Sequence, residues 1–392
     1  MRKILWGVCL LLGVSYGEDA LLSSLKQELL ETKRQKAMND ALLEEQSWIS
    51  PLTLSATIQN TKETTNLTTQ SRSVGLSWSQ DIFRSGGIEA LIDKARASGR
   101  MEILGVDLEQ AQYLKEVYTY LVKVRRDTLA VRQDTLRLKN SAIDLEIIKK
   151  QYEVGNKDIT DLNRAILDKD TAQTTLIVSQ TTLKNEVLEL KKLIGEKDTA
   201  GVEIPSFPLL PKEEYLARHL ELKQYQAQIQ RDDASYRVTR SDYLPKLTLN
   251  TSVGYNEYGA NALADEGDSY SYGVSMSMPI DYSTQEALQS QKLQVLQSKT
   301  ASLDRRAELE NVYKSALWNI KAYEEKIKVA QEMKRMYETL YCTTKAQEES
   351  GMKSSYDTES IENSTKVQEL EVQIHAYNIL IEKIGLYFDI EH

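Results

Sequence analysis

Prolines are almost absent from two long stretches of this chain, and their absence limits the possible folds more than any other feature. The 392-residue sequence has only 6 prolines, and none lies within Leu52–Ile204 or after Pro279. Because proline breaks helix interiors, both stretches can form very long helices. A helix over about 87–154 would extend for roughly 100 Å at about 1.5 Å per residue, and one over about 286–350 would be similar. Such lengths do not fit inside a compact globule.

Apolar residues in both halves recur at alternating spacings of three and four residues, which is typical of the seam of a coiled coil. In the first half these are Val117, Leu121, Val124, Thr128, Val131, Thr135, Leu138, Ala142, Leu145 and Tyr152, with Lys149 as the one charged interruption. In the second half they are Val367, Leu370, Ile374, Tyr377, Ile381, Ile384 and Phe388. The pattern predicts that shorter return helices, over about 157–194 and 354–388, pack beside the long ones.

Four segments alternate between apolar and small polar residues and therefore read as β-strands with two different faces. They are about 52–60, 71–83, 246–258 and 270–282, joined in pairs by the polar connections Thr61–Gln70 and Gly259–Asp268. A transmembrane strand needs about 9–11 tilted residues, and each segment supplies them. Four strands cannot close a barrel, and open sheet edges are not tolerated in lipid, so closure needs other subunits. The alternative is one face of a soluble sandwich.

The chain also repeats itself at about half its length. The stretch VGLSWSQDIF at 74–83 resembles YGVSMSMPID at 272–281, and a long helix follows each. Each long helix is interrupted by a glycine, Gly155 or Gly351, with an aspartate six residues later, Asp161 or Asp357. We therefore divide the chain into a first repeat over 18–202 and a second over 203–392.

Residues 1–17 are predicted to be a signal peptide, with Arg2 and Lys3 before an apolar run and small residues before Glu18. A buried N-terminal helix is the alternative. The formal net charge of −9 argues against nucleic-acid binding, because phosphate neutralisation needs clustered Lys and Arg. The three histidines and Cys342 lack the spacing of a zinc site or a Cys–His nucleophile. We therefore expect no catalytic residues, no metal and no cofactor.

Several segments together resemble the TolC family of outer-membrane efflux and export channels. They are QYEVGNKDITDLNRA (151–165), YLPKLTLNTSVGY (243–255), LSWSQDIFRSGG (76–87) and VSMSMPID (274–281). The resemblance implies a mainly α fold with a β membrane segment. Three chains would form one 12-stranded β-barrel in the outer membrane, with four strands per chain, continued by a long coiled-coil α-barrel in the periplasm. The segments before Pro51 and between Gly195 and Pro245 would build a collar.

The same resemblance implies function and site residues. The homotrimer would be the passive exit duct of a tripartite efflux or type I secretion system, docked to an inner-membrane pump and a periplasmic adaptor (membrane fusion protein). At the helix tips marked by Gly155 and Gly351, the family pairs an Asp with an Arg to hold the periplasmic entrance shut. Those positions are Asp161 and Lys353 here, and Asp357 matches an acidic ring at the mouth. Lys makes a point contact instead of a bidentate fork, which weakens such a latch.

A second class of function competes with the duct, namely a secreted or periplasmic coiled-coil scaffold such as an adaptor. An adaptor is expected to have one helical hairpin and a lipoyl-like β-domain. This sequence predicts two helical hairpins and four apolar-faced strands, which favours the duct.

Overall fold

The computed structural model describes residues 21–62, 68–195, 197, 202–260 and 263–391. The predicted signal peptide at 1–17 lies outside these residues and stays a prediction. Seven helices and four strands follow one another along the described chain: α1 (Ser24–Glu45), β1 (Thr53–Lys62), β2 (Thr68–Phe83), α2 (Gly87–Glu153), α3 (Ile159–Ile194), α4 (Lys212–Arg218), α5 (Leu220–Asp242), β3 (Lys246–Ala260), β4 (Leu263–Ser277), α6 (Thr284–Glu349) and α7 (Ser355–Tyr387).

The two proline-free stretches contain the longest helices. Helix α2 has 67 residues and α6 has 66, and each is followed after a short tip by a return helix, α3 or α7. Each half of the chain therefore contributes a β-hairpin, a long helix and a return helix. The predicted fold class, mainly helical with four strands per chain and two repeats, is confirmed.

The chain separates into two compact units. One contains the described residues up to 31, residues 107–220 and residues from 307 onward. The other contains residues 32–106 and 221–306, and it includes the whole sheet. The four strands are all antiparallel in the order β1-β2-β3-β4, so the two hairpins lie side by side.

The two faces of the sheet differ sharply in chemistry, as the alternating sequence predicts. Large apolar side chains project from one face without cover: Leu54, Ile58, Val74, Val253, Tyr270, Tyr272, Val274 and Met276. Hydroxyl and amide groups hydrogen-bond across strands on the other face, as Ser79 does to Asn250 at 2.7 Å and Asn250 does to Ser275 at 3.1 Å. One face is therefore suited to lipid and the other to water.

The strands of the second hairpin differ from the expected positions. The polar stretch Gly259–Asp268, expected as a connection, contributes to both strands, because β3 continues to Ala260 and β4 begins at Leu263. Glu257 even lies opposite Glu266. Sheet pairing uses backbone groups, so charged side chains do not end it once they lie beyond the apolar band. Strand β4 ends at Ser277 and not near 282, because Pro279 has no N–H to donate.

An aromatic cluster forms the core of the first unit. Tyr118 of α2 stacks on Phe388 with ring centroids 5.3 Å apart, and Phe207 packs edge-on against Tyr118 at 5.6 Å and Tyr387 at 5.0 Å. This cluster ties the connection before α4 and the end of α7 to the middle of α2.

Polar contacts set the register between α2 and α7. Three of them step along the two helices at heptad intervals: Arg126 with Asn378, Gln133 with Glu371, and Asn140 with Ser364. Residue numbers rise on one helix as they fall on the other, so the helices are antiparallel. Because Gln133 is buried, a shifted register would leave its amide unpaired.

Candidate functional site

The two helix tips have the same backbone design. In the first, Gly155 has φ +75°, its N–H donates to Tyr152 O at 3.0 Å, and Asn156 N–H donates to Gln151 O at 2.8 Å. In the second, Gly351 also has φ +75°. Its N–H donates to Glu348 O at 2.9 Å, and the Met352 N–H donates to Gln347 O at 2.8 Å. This pattern is the Schellman motif, which favours glycine because a Cβ is strained at positive φ.

Each return helix is then capped three residues after its glycine. Asp158 caps α3 by accepting hydrogen bonds from the backbone N–H groups of Thr160 and Asp161, at 2.8 and 2.9 Å. These bonds, the one from Asp161 foremost, hold the pKa of the Asp158 carboxyl below its usual value. Ser354 and Asp357 form a reciprocal capping box at the start of α7. Asp161 and Asp357 therefore occupy the same position in their helices.

The ion pairs at the tips are local. Lys157 Nζ lies 3.3 Å from Asp161 Oδ2, and Lys353 Nζ lies 3.9 Å from Asp357 Oδ1. The predicted latch residues Asp161 and Lys353 are thus each paired within their own tip. Lys157 was not among the residues predicted for the latch, although it follows Gly155 by two residues, as Lys353 follows Gly351. Alignment of the two repeats identifies it.

Apolar side chains are exposed beside these charges. Val154 is 70% exposed and Ile159 is 62% exposed at the first tip, and Met352 is 74% exposed at the second. Each tip thus exposes at least one large apolar side chain beside its ion pair.

Further carboxylates lie close to the tips. Burial raises the pKa of Asp144 on α2, and the nearby charges of Asp168 and Asp357 raise it further. Asp357, the predicted acidic-ring residue, is therefore part of a locally negative region that includes all three of these residues.

A groove opens between α2 and α3 on the side of the predicted seam. Leu138, Ala142, Leu176 and Ile177 line it, and its volume is about 470 Å³. Val117 and Leu121, which precede these residues in the same seam, are instead buried. The part of the seam around Leu138 and Ala142 thus leaves an apolar surface open.

The described part of the chain offers little support for other kinds of site. No group of three or more His, Cys, Asp and Glu side chains there could hold a metal ion. None of the helices described combines the length and apolar character needed to cross a bilayer. Cys342 is an exposed free thiol, and His375 contacts Glu371 at 3.3 Å on the same helix.

Comparison with known proteins gives a consistent result. The model of a family described as outer membrane efflux protein matches residues 24–196 and 212–388. No curated protein sequence matches the chain.

Solved structures match in fold over nearly the whole chain. The VceC outer membrane protein of Vibrio cholerae has a TM-score of 0.74 at 15% identity, covering 94% of each chain. The CmeC outer membrane channel of Campylobacter jejuni has a TM-score of 0.74 at 13% identity, covering 95% of this chain and 84% of its own. CusC, described as forming a transmembrane channel, has a TM-score of 0.74 at 15% identity, covering 95% of this chain and 90% of its own. At these identities the likeness shows a common fold.

Proposed function

Because the chain belongs to the outer membrane efflux protein family, we propose that three copies close one 12-stranded β-barrel and act together as an exit duct. The carrying observation is the sheet with one exposed apolar face. Among the described residues β1 pairs only with β2, and β4 only with β3, so both edges are open. Open edges are not tolerated in lipid, and joining β4 of one copy to β1 of the next removes them.

The family assignment also gives the location and the class of function. The chain is an outer-membrane efflux duct with its helical part in the periplasm, and it is a passive conduit and not an enzyme. An adaptor, the alternative function, would have one helical hairpin and a lipoyl-like β-domain. The structure instead has two helical hairpins and one antiparallel sheet.

The helical part supports the same assembly and its partners. The open groove between α2 and α3 offers an apolar surface on which a helix of the next copy packs. The exposed Val154 and Met352 at the tips suit docking to a periplasmic adaptor, which would link the duct to an inner-membrane pump in an efflux or type I secretion system.

The function is tested by extraction and reconstitution. The protein should leave membranes only in detergent, migrate with the mass of three chains, and conduct ions in a planar bilayer of phosphatidylethanolamine and phosphatidylglycerol. A monomer that is soluble without detergent would contradict the proposal.

The entrance latch remains a proposal, in which Asp161 of one tip and Lys353 of another exchange partners to close the mouth. An exposed ion pair contributes only about 0–1 kcal/mol. Three equivalent pairs released together would shift the closed state by a few kcal/mol, enough to change its population by about tenfold or more. We expect Asp161→Ala and Lys353→Ala each to raise single-channel conductance while trimer assembly is unchanged.

Lys157→Ala is the matched control. Lys157 contacts Asp161 within the tip but has no place in the latch. If Lys157→Ala raises conductance as much as Lys353→Ala does, the local pairs and not the latch hold the entrance. If none of the three variants differs from the unaltered protein, ion pairs have no part in closure.

A further inference from the structure

A polar side chain, Gln80, ends the row of apolar residues on one face of β2. Val74, Leu76 and Trp78 point to this face, and Gln80 is the next residue in the alternation. Gln80 also lies in a row with Leu249, which in turn pairs with Val274. Gln80 is only 5% exposed. Burial of an amide among apolar residues costs free energy unless the amide is hydrogen-bonded, so Gln80 needs partners within the protein.

The Gln80 amide is satisfied by the chain just before β1. Its Oε1 accepts from Ser50 N at 2.8 Å, and its Nε2 donates to Trp48 O at 3.0 Å and to Asp81 O at 3.0 Å. Trp78 Nε1 donates to Ser50 O at 3.1 Å. Two side chains of β2 thus hold the backbone of residues 48–50, which we call the strap.

Pro51 explains why side chains, and not the backbone of β2, form the hydrogen bonds to the strap. The pairing of β1 with β2 is regular up to Thr53, which lies opposite Ser77. Pro51 has no N–H, so the strand ladder cannot continue past it. The side chains of Gln80 and Trp78 form hydrogen bonds to the strap in place of the missing ladder bonds. Because both side chains lie on the apolar face of β2, the strap lies on that face of the sheet.

The strap presents apolar side chains outward. Ile49 is 50% exposed and Leu52 is 61% exposed, and Ile82 and Phe83 are exposed at the same end of the sheet. The polar end of α1 precedes the strap, where Glu45 pairs with Arg96 at 2.6 Å. Polarity therefore changes from charged to apolar between Glu45 and Ile49.

From these contacts we propose that the strap is a membrane-interface anchor, with Ile49 immersed in the periplasmic leaflet of the outer membrane. The inference rests on the proposed function, in which the apolar face of the sheet meets lipid. Irregular backbone is excluded from lipid when its polar groups are unpaired. Here the Gln80 and Trp78 side chains pair the carbonyls of Trp48 and Ser50 and the N–H of Ser50, and the N–H of Ile49 donates to Gln46 O at 2.9 Å. Trp48 lies in the strap and Trp78 contacts it, and tryptophan is enriched at membrane–water interfaces.

Spin labelling of the full protein in phosphatidylethanolamine–phosphatidylglycerol vesicles tests this. In a background with Cys342 replaced by serine, a nitroxide is attached at Ile49→Cys. We expect frequent collisions with oxygen, which partitions into lipid, and few with a water-soluble nickel complex. Leu54→Cys on the apolar face is the lipid reference, and Glu44→Cys on α1 is the water reference.

Each outcome decides the matter. A label at position 49 that behaves like the one at 44 overturns the proposal, because the strap is then in water. A label shielded from both reagents also overturns it, since a neighbouring copy then covers the strap. If the label at position 54 is itself reached by nickel, the membrane-spanning sheet fails, and the anchor fails with it.

The role of Gln80 is tested in the same labelled protein. Gln80→Leu removes both bonds to the strap, and we expect the mobile fraction of the label at position 49 to rise about tenfold. Trp78→Phe removes one bond and keeps a smaller aromatic ring, so a rise of about two- to fourfold is expected. If neither variant mobilises the label, β2 does not hold the strap.

Discussion

Val274→Arg is expected to lower the free energy of unfolding by about 1–2 kcal/mol per chain, because Val274 lies between the bilayer midplane of a β-barrel, where an arginine costs about 2–4 kcal/mol, and the interface, where it costs about 0–1 kcal/mol. Val274 is 61% exposed on the apolar face of β4, opposite Leu249. Because the change is repeated in each chain of a trimer, the folded assembly should be lost at markedly lower denaturant. The measurement is urea unfolding in lipid vesicles, followed by tryptophan fluorescence.

Ser275→Arg is the matched control. Ser275 is the next residue on the same strand, and it points to the polar face, where it accepts a hydrogen bond from Asn250 at 3.1 Å. An arginine there is expected to meet water and to cost less than half as much. Equal losses at positions 274 and 275 would mean that the assignment of the two faces is wrong.

Asp232→Ala is expected to destabilise the sheet-containing unit by about 2–3 kcal/mol. Asp232 of α5 is only 4% exposed, accepts from Arg231 Nη2 at 2.7 Å and receives the hydroxyl of Ser298 on α6. Removal of a buried carboxylate leaves its cation unpaired, and the partial exposure of Arg231 reduces that cost. The loss should appear as a lower midpoint of thermal unfolding by circular dichroism.

The neighbouring Asp233 provides the comparison for Asp232. Asp233 is exposed and lies 3.5 Å from Arg237 on the same helix. Exposed ion pairs contribute about 0–1 kcal/mol, so Asp233→Ala should barely move the midpoint. If the two variants unfold at the same temperature, burial of Asp232 does not contribute to stability.

Much of the fold could be predicted because local patterns determine it. The absence of proline from Leu52–Ile204 permits the long helix α2, and alternation of apolar and polar residues marks the four strands. Gly155 and Gly351 predicted the helix ends, since a Schellman turn needs positive φ at one defined position. The need for other subunits followed from four strands that cannot close a barrel, whereas the number of copies and the partners came only from resemblance.

The strand ends were less predictable. The sequence suggested a polar connection at Gly259–Asp268, where the structure continues β3 and β4 almost to one another. Side-chain polarity marks where the apolar band ends, whereas strand length depends on backbone hydrogen bonds with the neighbouring strand. Those bonds form only when the two strands are brought side by side.

The sequence by itself determined the helices, the two-faced strands and the matching tips, because each depends on residues close together in the chain. Only the tertiary structure decided which groups pair. It placed Asp161 beside Lys157, although Lys353 was the partner that the resemblance implied. It also placed Gln80 against the backbone of Trp48 and Ser50, some thirty residues earlier. Such pairings depend on distances set by turn geometry and strand register, and composition and spacing do not encode those distances.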